Sequence, residues 1–201
     1  MTSIISKFYG YSAAIFSALQ SVDVQKIEEL NMMLESSLTS NVFIFGNGGS
    51  AAISDHFCCD FNKGIYQNTG YNPRAISLTA NGPLLTAIAN DINYEMIFAY
   101  QLMVFARSDS TRNMAIAVSS SGNSPNIING LQEASSQGMK TAALVGFDGG
   151  AILKENLADI VVHVNANNYG VVEDCHMSIL HILTQNIRSK YQKDPGKTII
   201  L

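Results

Sequence analysis

Hydrophobic positions along the chain follow two alternating rhythms. Five short runs are almost uninterrupted and mostly β-branched: "NVFIF" centred on 42–45, "AISLT" at 75–79, "MAIAVS" at 114–119, "TAALV" at 141–145 and "DIVVHV" at 159–164. Strands buried on both faces have this pattern. Between the runs, apolar residues recur every three or four positions, as on helices with one buried stripe. The clearest helix is "SPNIINGLQEASSQG" at 124–138. Ser124 is placed as its N-cap, Pro125 at the first helical position and Gly138 as the stop, and Ile127, Ile128, Leu131 and Ala134 share one stripe.

Strands alternating with helices predict an α/β fold, a doubly wound, five-stranded parallel sheet flanked by helices and joined by right-handed crossovers. Two helical segments, 3–20 and 23–38, precede the first strand, and a long helix over 170–191 follows the last. The chain is therefore expected to be a single domain. Residues 1–40 form a helical oligomerisation segment, 41–192 the α/β core, and 193–201, with its Pro-Gly breaker, a terminal tail.

Composition changes this picture in one respect. A chain of 201 residues can bury a full core unaided. With 47% apolar and only 14% charged residues, however, it carries more apolar surface than one such domain covers, which predicts a helix-mediated oligomer. No apolar run approaches the eighteen residues of a membrane span, and the N-terminus has neither a basic n-region nor an unbroken h-region. The expectation is a cytoplasmic protein without membrane contact. Twelve basic against sixteen acidic residues, with no basic stripe, argue against a nucleic-acid partner. The three cysteines, Cys58, Cys59 and Cys175, have no metal-ligand spacing and are expected to be buried free thiols.

The candidate chemistry sits in two loops and two helices. Gly46, Gly48 and Ala51 fit a dinucleotide fingerprint, but the second strand ends in "AISLTANGP" without the acidic residue that would hold a ribose, and no G-K-[ST] follows the loop. The loop "SSSGNS" at 119–124 leads straight into the helix capped by Ser124. Hydroxyls and free N–H groups at a helix N-terminus make an anion site that needs no lysine. Both loops fall at carboxyl ends of strands, where open α/β sheets bind ligands. Together they predict a small phosphorylated ligand held by hydroxyls and dipoles. His56 and Asp60, at i and i+4, share a face of the helix after the first strand, and Glu173 and His181, two turns apart, lie on roughly one face of the last helix. These pairs are placed to meet a divalent metal, a substrate, or both. His163 and His176 are read as ordinary packed histidines.

The stretches "GNGGSAAISDHF", "AND" (89–91), "SSSGNSPNII", "GMKTAALVGFDGG" and "EDCHMSILHIL", in this order and spacing, resemble the sugar isomerase (SIS) fold and, within it, the phosphoheptose isomerases. The resemblance covers about residues 40–187, and the helical preface also fits this family, whose members resemble homotetramers around a central helical bundle. It implies isomerisation of sedoheptulose 7-phosphate to D-glycero-D-manno-heptose 7-phosphate, for bacterial surface glycans such as lipopolysaccharide or capsule. Carried over by motif, Asn47, Gly48, Gly49, Ser50, Asn90 and Asp91 approach the sugar, and Ser119, Ser120, Ser121 and Ser124 hold the phosphate. His56, Asp60, Glu173 and His181 fall where the family places the ligands of a zinc or other divalent ion, one per subunit, and its acid/base groups.

Three positions depart from the better-known members. Those carry glutamate at the position of Asp60 and glutamine at that of Glu173, and an arginine shortly after the first carboxylate is missing here, with only Lys63 nearby. The swap makes Glu173, with its longer reach, the expected principal base, His181 the partner acid, and Asp60 a group that contacts the substrate and orients it or the metal. The alternative is a non-enzymatic SIS protein that binds a replication initiator, to which "TAIANDINYE" (86–95) is also similar, or one that senses a sugar phosphate.

Overall fold

The computed structural model describes residues 3–106 and 112–193. Its five strands are β1 (Asn41–Gly46), β2 (Arg74–Ser77), β3 (Met114–Ser119), β4 (Lys140–Val145) and β5 (Ile160–His163). They form one parallel sheet in the order β2-β1-β3-β4-β5. Each strand coincides with one of the five apolar runs. β2 stops short of its run because the Ser77 and Thr79 hydroxyls turn aside to donate to the Asp55 carboxylate.

The two-residue period of the strands divides the core. Val42, Ile44, Met114, Ile116, Val118, Ala142 and Leu144 face one side of the sheet. There they meet Leu30 and Leu34 of α2 (Val24–Ser36), Ile53 and Phe57 of α3 (Gly49–Cys59), and Val171, Cys175, Ile179 and Leu183 of the long helix Tyr169–Tyr191. The residues between them, Phe43, Phe45, Ala115, Ala117, Ala143 and Val145, face the other side and pack on Ile88, Phe98, Leu102, Ile127, Leu131 and Ile152. Each fully buried side chain of this size contributes about 1.5–3 kcal/mol, so a strand shifted by one residue would forfeit both faces together.

The second layer consists of α5 (Gly82–Asp91), α6 (Ala99–Phe105), α7 (Pro125–Ser136) and the short α8 (Gly150–Lys154). A one-turn helix α4 (Tyr66–Thr69) lies between α3 and β2, and the long C-terminal helix is α9. Helix α7 starts and stops as its sequence predicts: Ser124 is the N-cap and Gly138 takes a positive φ just past the end.

The first helix, α1 (Ile4–Gln20), is anchored to α9 by the Tyr11 hydroxyl, which donates to Asp174 at 2.7 Å. Its Ile4, Ile5, Phe8, Tyr9 and Phe16 are 64–78% exposed. No helix among the described residues is long and apolar enough to cross a membrane.

Three expectations need comment. All three cysteines are free, but only Cys175 is buried; Cys58 is half-buried and Cys59 exposed, because Phe57 and Phe61 take the inward face of that helix. The helix after β1 is not regular to its end. At Asp60 it widens into a π-helical turn, Asp60–Ile65. Of the expected tail, 194–201 lies outside the described residues.

Candidate active site

In the order β2-β1-β3-β4-β5 the direction of chain winding reverses between β1 and β3, and ligands of such sheets bind at the carboxyl ends beside that switch point. The loops after β1 and β3 leave the sheet at that point. Between them lies a cleft of about 130 Å³ lined by Asn47, Ser50, Ser119, Ser120, Ser121, Ser124, Tyr169 and Glu173. The glycine loop and the serine loop, far apart in sequence, thus form one site.

The serine hydroxyls are arranged as donors. Ser119 Oγ accepts from the Gly122 N–H, and Ser121 Oγ accepts from the Asn123 N–H, which leaves both O–H groups free to donate outward. Ser124 caps α7 by its backbone conformation and makes no side-chain cap bond. Ser120 Oγ is buried with no partner among the described residues. An unpaired buried hydroxyl such as that of Ser120 is costly, and with the free O–H groups of its neighbours in the same cleft it marks a place prepared for an acceptor-rich group. The α7 N-terminus adds the positive end of its dipole.

Glu173 stands on the opposite wall, against the first turn of α3. A side chain at Gly49 would overlap the Glu173 carboxylate, so glycine there is a condition for the carboxylate to enter the cleft. Gly48 has φ +55°, a conformation that favours glycine, and turns the chain from β1 into α3.

About two turns further along both helices lies a second cluster. His56 Nε2 and His181 Nε2 are 2.9 Å apart, and Asp60 Oδ2 is 3.3 Å from the first and 3.4 Å from the second. Asp60 sits where α3 passes into a π-helical turn, still one regular turn beyond His56, and such turns are frequent at functional sites. Two imidazole nitrogens this close either share a proton or direct both lone pairs at a cation. Nitrogen and oxygen ligands at their usual distance from a tetrahedral ion stand roughly 3.3 Å apart, close to the spacings here. A hard-to-intermediate donor set of two nitrogens and a carboxylate oxygen suits zinc and similar divalent ions. The triad fits a metal.

Glu173 does not belong to this cluster: among the described residues, His56, Asp60 and His181 are the group whose ligand atoms gather within 4.8 Å. Eight residues of helix put Glu173 about 12 Å of axial rise from His181. Asn90 and Asp91 also stand apart. They lie exposed at the end of α5, bonded to each other at 2.8 Å, and line neither the serine cleft nor its neighbour. Ile88 takes the inward face of that turn. Lys63 is exposed on the π-helical turn and lines neither cleft.

His163 Nε2–H donates to the Phe147 carbonyl at 2.9 Å, and His176 is fully buried. Neither joins the triad. The sequence reading missed Tyr169, for which it held no signal, and Asn126, hidden beside the serine loop.

The sequence profile of the SIS domain family matches residues 7–146. A probable phosphoheptose isomerase of Thermoplasma volcanium is 33% identical over 183 residues, covering 90% of this chain and 90% of its own. A phosphoheptose isomerase of Helicobacter pylori is 31% identical over 189 residues, 94% of this chain and 95% of its own.

The chain belongs to the phosphoheptose isomerase family of SIS domains.

Solved structures agree with that placement. A phosphoheptose isomerase from Francisella tularensis matches this SIS domain with a TM-score of 0.81 at 28% identity, over 94% of this chain and 100% of its own. One from Neisseria gonorrhoeae gives the same score at 25% identity, over 92% and 97%.

Proposed function

We propose that this SIS domain is an aldose–ketose isomerase of a phosphorylated sugar, converting sedoheptulose 7-phosphate to D-glycero-D-manno-heptose 7-phosphate for surface-glycan synthesis. The observation that carries the reading is the meeting of unspent serine hydroxyls with a carboxylate in one cleft at the switch point. Ser119, Ser120, Ser121 and Ser124 hold the phosphate, and Asn47 with the backbone at Gly48 and Gly49 faces the sugar. Asn90 and Asp91 remain assigned to the sugar by motif alone.

Isomerisation moves a proton between C1 and C2 through an enediol while a second group handles the oxygens; a carboxylate and an imidazole suffice, each contributing on the order of 10²–10⁴ in rate. Glu173 is the base in this reading and His181 the acid. In a single chain they are two helical turns apart, so the pair that acts on one sugar comes from two copies. This requires an oligomer, for which the exposed apolar face of α1 is suited, and a homotetramer is the proposed state.

His56, Asp60 and His181 would hold a zinc or other divalent ion, leaving His181 only its Nδ1–H as the proton it could give, and Glu173 would complete that set only from a second copy. Such an ion polarises sugar oxygens and stabilises the charge of an enediolate. The presence of both His181 and a carboxylate at position 173 favours the enzyme over a binding-only SIS protein. Proton NMR of sedoheptulose 7-phosphate incubated with the protein, with and without chelator, tests the reading: new aldose signals are expected, and an unchanged spectrum under both conditions refutes it.

A further inference from the structure

We infer that Asn126 is a positioning residue that fixes the Asn47 side-chain amide as a hydrogen-bond donor to the sugar part of a ligand in the serine cleft. The inference rests on the sugar-phosphate reading and adds to it a residue that does not itself line the cleft.

The orientation of an amide follows from its partners, and one partner here is unambiguous. The backbone N–H of Ile127 donates to one terminal atom of Asn126 at 3.0 Å, so that atom is the oxygen, Oδ1. The other, Nδ2, donates at 2.9 Å to Asn47, whose facing atom must therefore be Oδ1. Asn47 Nδ2 donates back to Asn126 Oδ1, also at 2.9 Å. The two amides form a closed, reciprocal pair across the loops that follow β1 and β3, and Asn126 is only 1% exposed, so its partners cannot be exchanged for water. The Tyr94 hydroxyl then donates to Asn47 Oδ1 at 3.1 Å.

Both lone pairs of Asn47 Oδ1 are occupied. One N–H of Nδ2 is committed to Asn126 and one is left. Asn47 lines the serine cleft, so what it offers a ligand there is a single N–H, matched to a sugar oxygen acting as acceptor. Asn126 sets that polarity from behind.

The variant Asn126→Asp separates positioning from packing. When ionised, the introduced carboxylate can still accept from the Ile127 N–H, but it places an oxygen against Asn47 Oδ1, so the Asn47 amide must turn away. When protonated, its O–H takes the place of the lost N–H and the pair is restored. Affinity for sedoheptulose 7-phosphate and for inorganic phosphate is measured by calorimetry, each as a ratio to wild type at the same pH, at about pH 8 and about pH 5.5. The sugar-phosphate ratio is expected to fall by about tenfold or more at the higher pH and to recover by at least about threefold at the lower. The inorganic phosphate ratio stays near one at both, and Asn126→Ala weakens the sugar phosphate without recovery.

An aspartate variant that binds the sugar phosphate as tightly as wild type at both pH values, or a parallel loss of inorganic phosphate, overturns the inference. Failure of the wild type itself to bind the sugar phosphate overturns the functional reading instead, and the inference with it. Should the aspartate variant not fold, Tyr94→Phe removes the second donor at an exposed position. An affinity loss of about two- to fivefold for the sugar phosphate alone is then expected, and unchanged binding of both ligands counts against the proposal.

Discussion

Ser120 gives the sharpest test of the serine cleft because its two roles pull in opposite directions. The residue is 5% exposed and its hydroxyl has no partner among the described residues. A buried hydroxyl left unpaired costs about 1–3 kcal/mol. Ser120→Ala removes that cost from the ligand-free protein, so its unfolding free energy should rise by about 1 kcal/mol and its Tm by about 2–4 °C for a chain of this size. The same change removes a hydrogen bond to a charged group, worth about 1.5–3 kcal/mol, so sugar-phosphate affinity should fall by about ten- to a hundredfold. Ser119→Ala is the control. Its Oγ accepts from the Gly122 N–H, so the variant should lose stability as well as affinity. Thermal unfolding without phosphate, paired with calorimetric titration of the sugar phosphate, reads both quantities. A Ser120→Ala protein that is less stable than wild type, or that binds equally well, would refute the reasoning.

Three other outcomes are expected. His176→Leu should flatten the acid limb of stability. Burial pushes the His176 imidazole down to about 4, so the unfolded chain binds the extra proton and stability, full above about pH 6.5, is lost as pH falls through about 4; denaturant titrations across that window should show a loss near 3 kcal/mol in wild type that is missing in the variant. Elemental analysis should find about one divalent ion per subunit in wild type and a large loss in His56→Ala and in His181→Ala, whereas equal occupancy in both variants would remove the triad from the ligand set. Glu173→Gln and His181→Gln should each be inactive alone, yet regain activity, up to about a quarter of wild type, when the two are unfolded together and reassembled; no recovery would show that the two groups do not act from different copies.

Much of the architecture was legible because it depends on local pattern. Nearly continuous apolar runs marked all five strands, and the Ser124–Pro125 start and Gly138 stop bounded α7, since capping and φ restrictions act on neighbouring residues. The serine cleft was legible for a similar reason: "SSSGNS" combines hydroxyls with a helix start in six residues. Features that depend on tertiary packing were hidden. Nothing in "HFCCDFNKGI" announces a π-helical turn, which is one extra residue accommodated in a helix, nor that His181 of α9 comes to stand beside both His56 and Asp60. Helical spacing gave a shared face for Glu173 and His181, but a face is not a reach. Asn126 reads as an ordinary residue of a first helical turn until the Asn47 amide is placed opposite it.

The separation of Glu173 from His181 follows from the rise of α9 over eight residues, and the packing of α3 beside it gives each a different partner. Gly49 meets Glu173 at one level, and His56 with Asp60 meets His181 about two turns further on, so the two helices run side by side with two chemical rungs. The upper rung shares its cleft with the serine hydroxyls and holds the Glu173 carboxylate. The lower rung holds the shorter Asp60 carboxylate, clamped between imidazoles at 3.3 and 3.4 Å. A carboxylate committed to two such neighbours has little freedom to carry a proton along a sugar, whereas Glu173, at the wall of the cleft, has no ion pair among the described residues. Under the proposed roles, Glu173 and His181 of one chain, about 12 Å of helix rise apart, cannot touch the same two carbons. In that mechanism the chemistry is completed by bringing the upper rung of one copy to the lower rung of another, which would give the exposed apolar face of α1 a catalytic reason to find a partner.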